Sequence, residues 1–192
     1  IEDAAQALGG TYNNKQLGTI GDFGCISFHE TKNIQCGEGG ALIINNKKYT
    51  DKAEIMRENG TDRSKFFRGE VKEYSWLSLG SSFLMGELNA AFLLAQLEKN
   101  TEVIEKRIKL WEAYYKKLLP LKKKQVISLP IIPAHIKHNA HIFYIKAENL
   151  NVRKKIIKYL KEKNIQAVSH YVPLHSSKAG KQNGKYSGRD EF

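Results

Sequence analysis

Apolar positions change their rhythm along the chain. Over residues 1–46 they come as short runs broken by glycine, as in "EDAAQALGG", "GCISF" and "GGALIIN". Such runs read as strands or tight strand–helix turns. The opening "IEDAAQALGG" reads as the end of a buried strand running into a turn and a helix. From Lys48 to Glu58 the spacing becomes helical. "NGTDRSKFFRGEVKEYSW" is polar with scattered aromatics and reads as a long loop. "MGELNAAFLLAQLEKN" is rich in Ala and Leu and predicts a buried helix. "TEVIEKRIKLWEAYYKKLL" predicts another, with Thr101 as N-cap and an apolar face through Val103, Ile104, Ile108, Trp111 and Tyr115.

Pro120 and the lysines after it mark a change. Beyond them "VISLP", "HIFYIKA" and "IQAVSHYVP" read as strands, and "NVRKKIIKYLKEKN" as an amphipathic helix between the last two. This layout predicts a second, smaller α/β domain over 120–192, after a larger one over 1–119.

Composition narrows the classes. With 192 residues and 41% of them apolar, the chain can bury a core in one or two domains. No apolar run is long enough to span a bilayer, so no membrane partner is expected. Two cysteines, Cys25 and Cys36, form no CxxC pair or framework, which fits a reducing, cytoplasmic setting. The strand-like start and the open end "GKYSGRDEF" read as a fragment cut at both ends. The formal charge of +11 has two explanations: lysines on solvated helix faces, or an anionic partner. "PLKKKQ" and "RKKIIKYLKEKN" place lysines at helical spacing or in a turn, as a solvated face would. No zinc-finger or RRM signature is present, so no nucleic-acid partner is expected.

The chemistry concentrates in "CISFHETKNIQCGEGGALII", from Cys25 to Ile44. It sets one lysine, Lys32, between a strand-like run and a glycine cluster. An exposed ammonium, with a pKa of about 10.4, is a poor nucleophile at neutral pH. Burial or a neighbouring cation frees the amine for Schiff-base chemistry. The Ser27 hydroxyl and the N–H groups of the following turn can donate to a phosphate, and "GEGG" at 37–40 lets backbone approach a ligand. The bland alternative is an ordinary loop lysine. Asp3 follows an apolar entry, with Gln6 three residues on. At the carboxyl edge of a strand, Asp3 would point into the crevice where α/β sheets bind ligands. The alternative there is an N-cap or Asx-turn. A lysine and an acid on the pyridine nitrogen are the usual protein contribution to pyridoxal phosphate (PLP) chemistry.

Asp3, Gln6, Ser27 and Lys32, in that order and spacing, resemble the DegT/DnrJ/StrS family of PLP-dependent sugar aminotransferases. "EDAAQALGG", "GTIGDFGCISFHETKNIQCGEGGAL", "RENGTDR" and "HYVPLH" all carry the likeness, which runs through the whole chain. Within the family, "SFHETKN", "FFRGEVKEYSW", "GSSFLM", "NAHIFYIK" and "HYVPLH" are most similar to a subgroup acting on a TDP-4-oxo-6-deoxy sugar. The resemblance implies a fold-type I α/β aminotransferase, here part of the large domain and a small C-terminal domain. It implies a homodimer with shared active sites, a sugar-nucleotide substrate and glutamate as amino donor. It makes Lys32 the catalytic Schiff-base lysine, with Asp3 on the pyridine nitrogen, Gln6 near the ring 3-hydroxyl and Ser27 on the phosphate.

Some positions depart from the pattern or stay open. Many members carry an asparagine that reaches the partner subunit's cofactor phosphate; Ser82 stands there. Lys178 stands where a proline often follows "YVPLH". The family's N-terminal portion, with a phosphate-binding turn and a ring-stacking aromatic, and its last C-terminal elements are not in the chain. The resemblance sets His170, Tyr171 and His175 near the sugar nucleotide, against a plain strand and loop. His29 faces cofactor or substrate, or simply packs. Arg57 and Arg63 meet a diphosphate, or cap a helix end. His135, His138 and His141 recur every third residue in a loop entering a strand, where that spacing does not converge on a metal. The competing reading of the whole is a non-catalytic, regulatory relative or a basic anion-binding module. Relatives without catalysis commonly lose the lysine, whereas Lys32 is kept.

Overall fold

The computed structural model describes residues 1–188 and divides into two compact units, Ile1–Lys146 and Ala147–Phe192. The division expected after residue 119 therefore falls inside the first unit. Pro120 does not end its helix, which runs on to Lys123.

In the first unit β1 (Glu2–Asp3), β2 (Thr11–Tyr12), β3 (Lys15–Gln16), β4 (Phe23–Ser27) and β5 (Gly40–Ile44) come first. Helices α1 (Thr50–Arg57), α2 (Arg63–Phe67), α3 (Glu87–Glu98) and α4 (Asn100–Lys123) follow, then β6 (Ile127–Ser128) and β7 (Ile136–Lys137). β8 (Lys146–Ala147) stands at the division, and α5 (Leu150–Glu162) and α6 (Lys178–Asn183) belong to the second unit.

β4 is the middle strand of a sheet ordered β1-β4-β5, parallel to β1 and antiparallel to β5. Side chains alternate between its faces. Gly24 and Ile26 are buried, while Cys25 is exposed and Ser27 half-buried. Register pairs Asp3 with Cys25, Cys25 with Leu42, and Ser27 with Gly40. Asp3, Cys25, Ser27 and Leu42 thus share the open face. The other face meets the core of Ala4, Ile26, Phe28, Ile34, Cys36 and Leu93.

A second sheet, β3-β2-β7, brings distant sequence to the same place. β2 and β3 form a two-residue hairpin whose loop residues, Asn13 and Asn14, have φ of 47° and 62°. This loop length favours positive φ, which asparagine tolerates. β7 pairs antiparallel with β2, Thr11 opposite Lys137 and Tyr12 opposite Ile136. Residues 138–142 are thereby delivered beside the turns that follow β1.

Several expectations change. "AAQALGG" forms successive turns, closed by Ala7 N–H to the Ala4 carbonyl and Gly10 N–H to the Ala7 carbonyl, and no helix. The polar loop after α1 contains α2. Thr101 lies inside α4, whose N-cap is Lys99 without a side-chain cap. α3 is helical as expected but not buried: only Leu93 is, while Leu88 is 87% exposed. A helix apolar all round has more hydrophobic surface than one contact stripe can cover. The α4 face is as expected, with Ile104 and Trp111 buried and Val103, Ile108 and Tyr115 partly so. "HIFYIKA" is a strand only at β8, and "IQAVSHYVP" forms none. In the second unit, Asn149 caps α5 by accepting from Val152 N–H at 3.0 Å.

Candidate active site

Lys32 sits in a loop that joins β4 to β5 and is laced by backbone hydrogen bonds. Phe28 N–H donates to the Gly39 carbonyl, Glu30 N–H to Gly37, Lys32 N–H to His29, and Cys36 N–H to Phe28. The next residues pin the turn from inside: Asn33 is buried, and Ile34 is 1% exposed. The lysine is therefore half-buried at the rim of a rigid turn, not at the tip of a free loop. Gly37 has φ +80°, which explains that glycine. Gly39 serves packing instead of ligand approach: a Cβ there would lie 2.6 Å from Cys36 Sγ and from Met85 Cε.

Gln6, Ser27 and Lys32 line one small cavity of about 10 Å³, together with Asn33, Asn139 and His141. A larger one of about 220 Å³ adjoins it, sharing Gln6, Asn139 and His141 and walled by Trp111, His138 and Tyr144. Among the described residues no carboxylate pairs with the Lys32 ammonium. The Ser27 Oγ accepts from His29 N–H at 3.3 Å, which leaves its own proton for an acceptor. Asp3 does not line the cavity. It is exposed on the same sheet face as Ser27, and its Oδ1 accepts from Ala5 N–H at 3.2 Å, an Asx-turn contact.

The other expected residues are not among those that line these cavities. His29 turns to its own loop, with Nδ1 2.9 Å from Thr31 Oγ1 and Nε2 3.6 Å from Glu38 Oε1. Ser82 is exposed and bridges to Glu58, apart from the cavity lining. His170 and Tyr171 belong to the second unit, their rings 4.7 Å apart, and His175 stacks on Tyr186 at 4.3 Å. Arg57 pairs with Glu58 at 3.0 Å, and the Arg63 guanidinium lies over Phe67. The three spaced histidines go separate ways: His135 to Tyr12, His138 to Trp111, His141 to Asn33.

A polar cluster beneath the cavity was not foreseen. Asn139 Nδ2 donates to the carbonyls of Gln6 at 2.8 Å and Leu8 at 2.9 Å. Asn33 Nδ2 donates to the Asn139 carbonyl at 2.8 Å, and Asn33 Oδ1 lies 3.2 Å from His141 Nδ1. From α4, Arg107 donates to the carbonyls of Ala140 and His141, and Trp111 Nε1 to that of Ile142. Burial pushes Arg107 and His138 below their ordinary pKa values. Asn33 had one signal in the sequence, its place beside Lys32. Asn139 lay in "HIKHNAH", where the histidines draw the eye.

A sequence model of the DegT/DnrJ/EryC1/StrS aminotransferase family matches residues 1–190. The chain belongs to this family. Among relatives, it is 35% identical over 182 residues to an uncharacterized protein of Methanocaldococcus jannaschii, covering 91% of this chain and 46% of that one. It is 30% identical over 178 residues to the UDP-4-amino-4,6-dideoxy-N-acetyl-beta-L-altrosamine transaminase of Helicobacter pylori, covering 91% and 45%. Among solved structures, Helicobacter pylori PseC, an aminotransferase of pseudoaminic acid biosynthesis, superposes with a TM-score of 0.82 at 26% identity, over 97% of this chain and 49% of that one. The fold is thus that of the DegT/DnrJ/EryC1/StrS aminotransferases, and this chain spans about half the length of the curated relatives it matches.

The family uses pyridoxal 5′-phosphate. The residues present fit that group by their chemistry. An amine with no ionic partner among the described residues, a hydroxyl with a proton to donate and an amide line one cavity, and a carboxylate stands on the adjoining strand of the same sheet face.

Proposed function

We propose that the protein carrying this chain is a PLP-dependent aminotransferase acting on a nucleotide-linked 4-keto-6-deoxy sugar. The observation that carries this is the meeting of Lys32, Gln6 and Ser27 at one cavity in a chain of this family. The segments "SFHETKN", "GSSFLM" and "NAHIFYIK" support a finer reading. It is conversion of TDP-4-oxo-6-deoxyglucose to TDP-4-amino-4,6-dideoxygalactose with glutamate as donor, for cell-surface polysaccharides such as lipopolysaccharide, in the cytoplasm. The likeness to a sugar-nucleotide transaminase supports the coarser substrate class.

When bound, pyridoxal phosphate supplies an electron sink for the bond being broken at the amino carbon. The chain's residues do the rest. The Lys32 amine would hold the cofactor, and as a free amine it would accept and return the proton at the donor's α-carbon as general base and acid. Its laced turn keeps that amine in reach of one locus. Asp3 holds the ring nitrogen in its protonated form, which requires its carboxylate to face the ring and not the Asx-turn alone. Gln6 orients the ring, and Ser27 donates to the phosphate. His170, Tyr171 and His175 contact the sugar nucleotide, while His29 orders its own loop beside Lys32. A homodimer with shared sites brings Ser82 to the partner's cofactor phosphate.

Borohydride trapping tests this reading. Protein from the complete reading frame is incubated with PLP, reduced and digested. A pyridoxyl label on the Lys32 peptide, absent in Lys32→Ala, supports it. An unlabelled wild type overturns it and favours the anion-binding alternative, whose affinity for a polyanion would fall steeply with salt.

A further inference from the structure

We infer that Asn139 is a positioning residue of the cofactor site, acting through Gln6; this rests on the reading of Gln6, Ser27 and Lys32 as that site. The turns after β1 carry Gln6 but have little backbone pairing of their own. Their internal bonds run from Ala7 N–H to Ala4 and from Gly10 N–H to Ala7, and neither uses the carbonyl of Gln6 or Leu8. Both of those carbonyls are taken by the two hydrogens of one amide, Asn139 Nδ2, at 2.8 and 2.9 Å.

The rest of Asn139 is used as fully. Its Oδ1 accepts from His141 N–H at 3.1 Å, and its backbone carbonyl accepts from Asn33 Nδ2 at 2.8 Å. Asn139 is only 7% exposed and Asn33 9%, so each bond stands in place of water. Two donors and one acceptor on a short planar group describe asparagine. Aspartate lacks the donors, serine has one, and glutamine carries the amide one carbon further out.

The amide is itself fixed from behind. β7 pairs with β2 just before it, and Arg107 and Trp111 of α4 hold the carbonyls of residues 140–142. One rigid group therefore spans the two halves of the site: the Gln6 turn by its side chain, and the Lys32 turn by its carbonyl through Asn33. Loss of the side chain frees the Gln6 turn while leaving the Asn33 bond in place. The consequence for the cofactor passes through Gln6, whereas a purely structural tie would lower stability without regard to Gln6.

A double-mutant cycle on pyridoxal phosphate affinity separates these roles. Wild type, Asn139→Ala, Gln6→Ala and the double variant are made from the complete reading frame. Each is titrated with pyridoxal phosphate by visible absorbance, at a temperature where circular dichroism shows it folded. The expected result is that each single change weakens binding roughly tenfold and the double change no more than either, because residues acting as a unit are not additive. Unchanged affinity in Asn139→Ala, or two losses that multiply, overturns the inference. If Asn139→Ala does not fold, Asn139→Ser, which keeps one donor, takes its place in the same cycle with the same outcomes. A wild type that takes up no cofactor overturns the underlying reading, and this one with it.

Discussion

Glu2 and Gly21 meet across the turn that precedes β4: the Glu2 carboxylate accepts from Gly21 N–H at 2.6 Å. The same carboxylate accepts from the N–H groups of Gly18 and Ile20. Three backbone donors converge on one side chain, and the strand that carries Asp3 is thereby tied to residues 18–21. The Gly21 bond contributes most to holding the Glu2 carboxyl below its ordinary pKa; desolvation opposes it, and the Gly18 and Ile20 bonds add to the lowering.

Glu2→Gln is expected to lower the melting temperature near neutral pH. The sign of its pH dependence follows from linkage. A carboxyl whose folded pKa is depressed contributes stability that is fully present above its ordinary value, about 4.3. The contribution is lost as pH falls through the folded pKa. The gap between wild type and Glu2→Gln should therefore be widest near pH 7 and close in acid. Melting curves from about pH 7 to pH 3 check this, and a gap that widens in acid would refute it.

Much of this was legible in the chain, and the reasons differ by element. β4 and β5 showed themselves because short apolar runs broken by glycine are a local signal. The α4 face showed itself because Ile104, Ile108, Trp111 and Tyr115 follow helical spacing. Lys32, Ser27 and Gln6 were legible as motif positions, and the structure brings them together. Glu2 was not, since nothing local tells which of two adjacent acids turns to a distant loop. Asn139 was invisible for the same reason, and Asn33 showed only its place beside Lys32: their bonds close across more than a hundred residues of sequence. The exposure of α3 was misread because an Ala- and Leu-rich pattern reports hydrophobicity, not what lies against it.

Ile34 is the largest fully buried side chain and directly follows the pair Lys32–Asn33. Ile34→Ala should cost about 2 to 5 kcal/mol of stability, as buried isoleucine truncations do. Denaturant unfolding would show a lower midpoint with little change in slope. A loss under about 0.5 kcal/mol would mean that the Lys32 turn is not anchored through this residue.

Glu58 is a buried carboxylate that accepts from Ser64 Oγ and from Arg57 Nη2. The Ser64 bond, then that of Arg57, holds its pKa down, against desolvation. Ser64→Ala removes the larger of these and should cost about 1 to 2 kcal/mol near neutral pH. Because the folded pKa of Glu58 then lies nearer its ordinary value, the variant should lose less stability than wild type as pH falls, so the gap between the two should close in acid. A gap that stays constant from about pH 7 to pH 3 would show that Arg57 alone sets the carboxyl.

Ser27→Ala tests where the cofactor phosphate lies. The hydroxyl accepts from His29 N–H and is left with one proton to donate at the cavity shared with Lys32. A hydrogen bond to a charged group contributes about 1.5 to 3 kcal/mol. Its loss should weaken pyridoxal phosphate binding roughly tenfold or more. Pyridoxal has the same ring and aldehyde but no phosphate, so its binding should barely change. The ratio of the two dissociation constants, measured by fluorescence quenching in wild type and variant, isolates the phosphate contact from any general damage to the turn. A ratio that moves towards one places the phosphate at Ser27. Equal losses for both ligands would mean that Ser27 shapes the Lys32 turn through His29, and that the phosphate is held elsewhere.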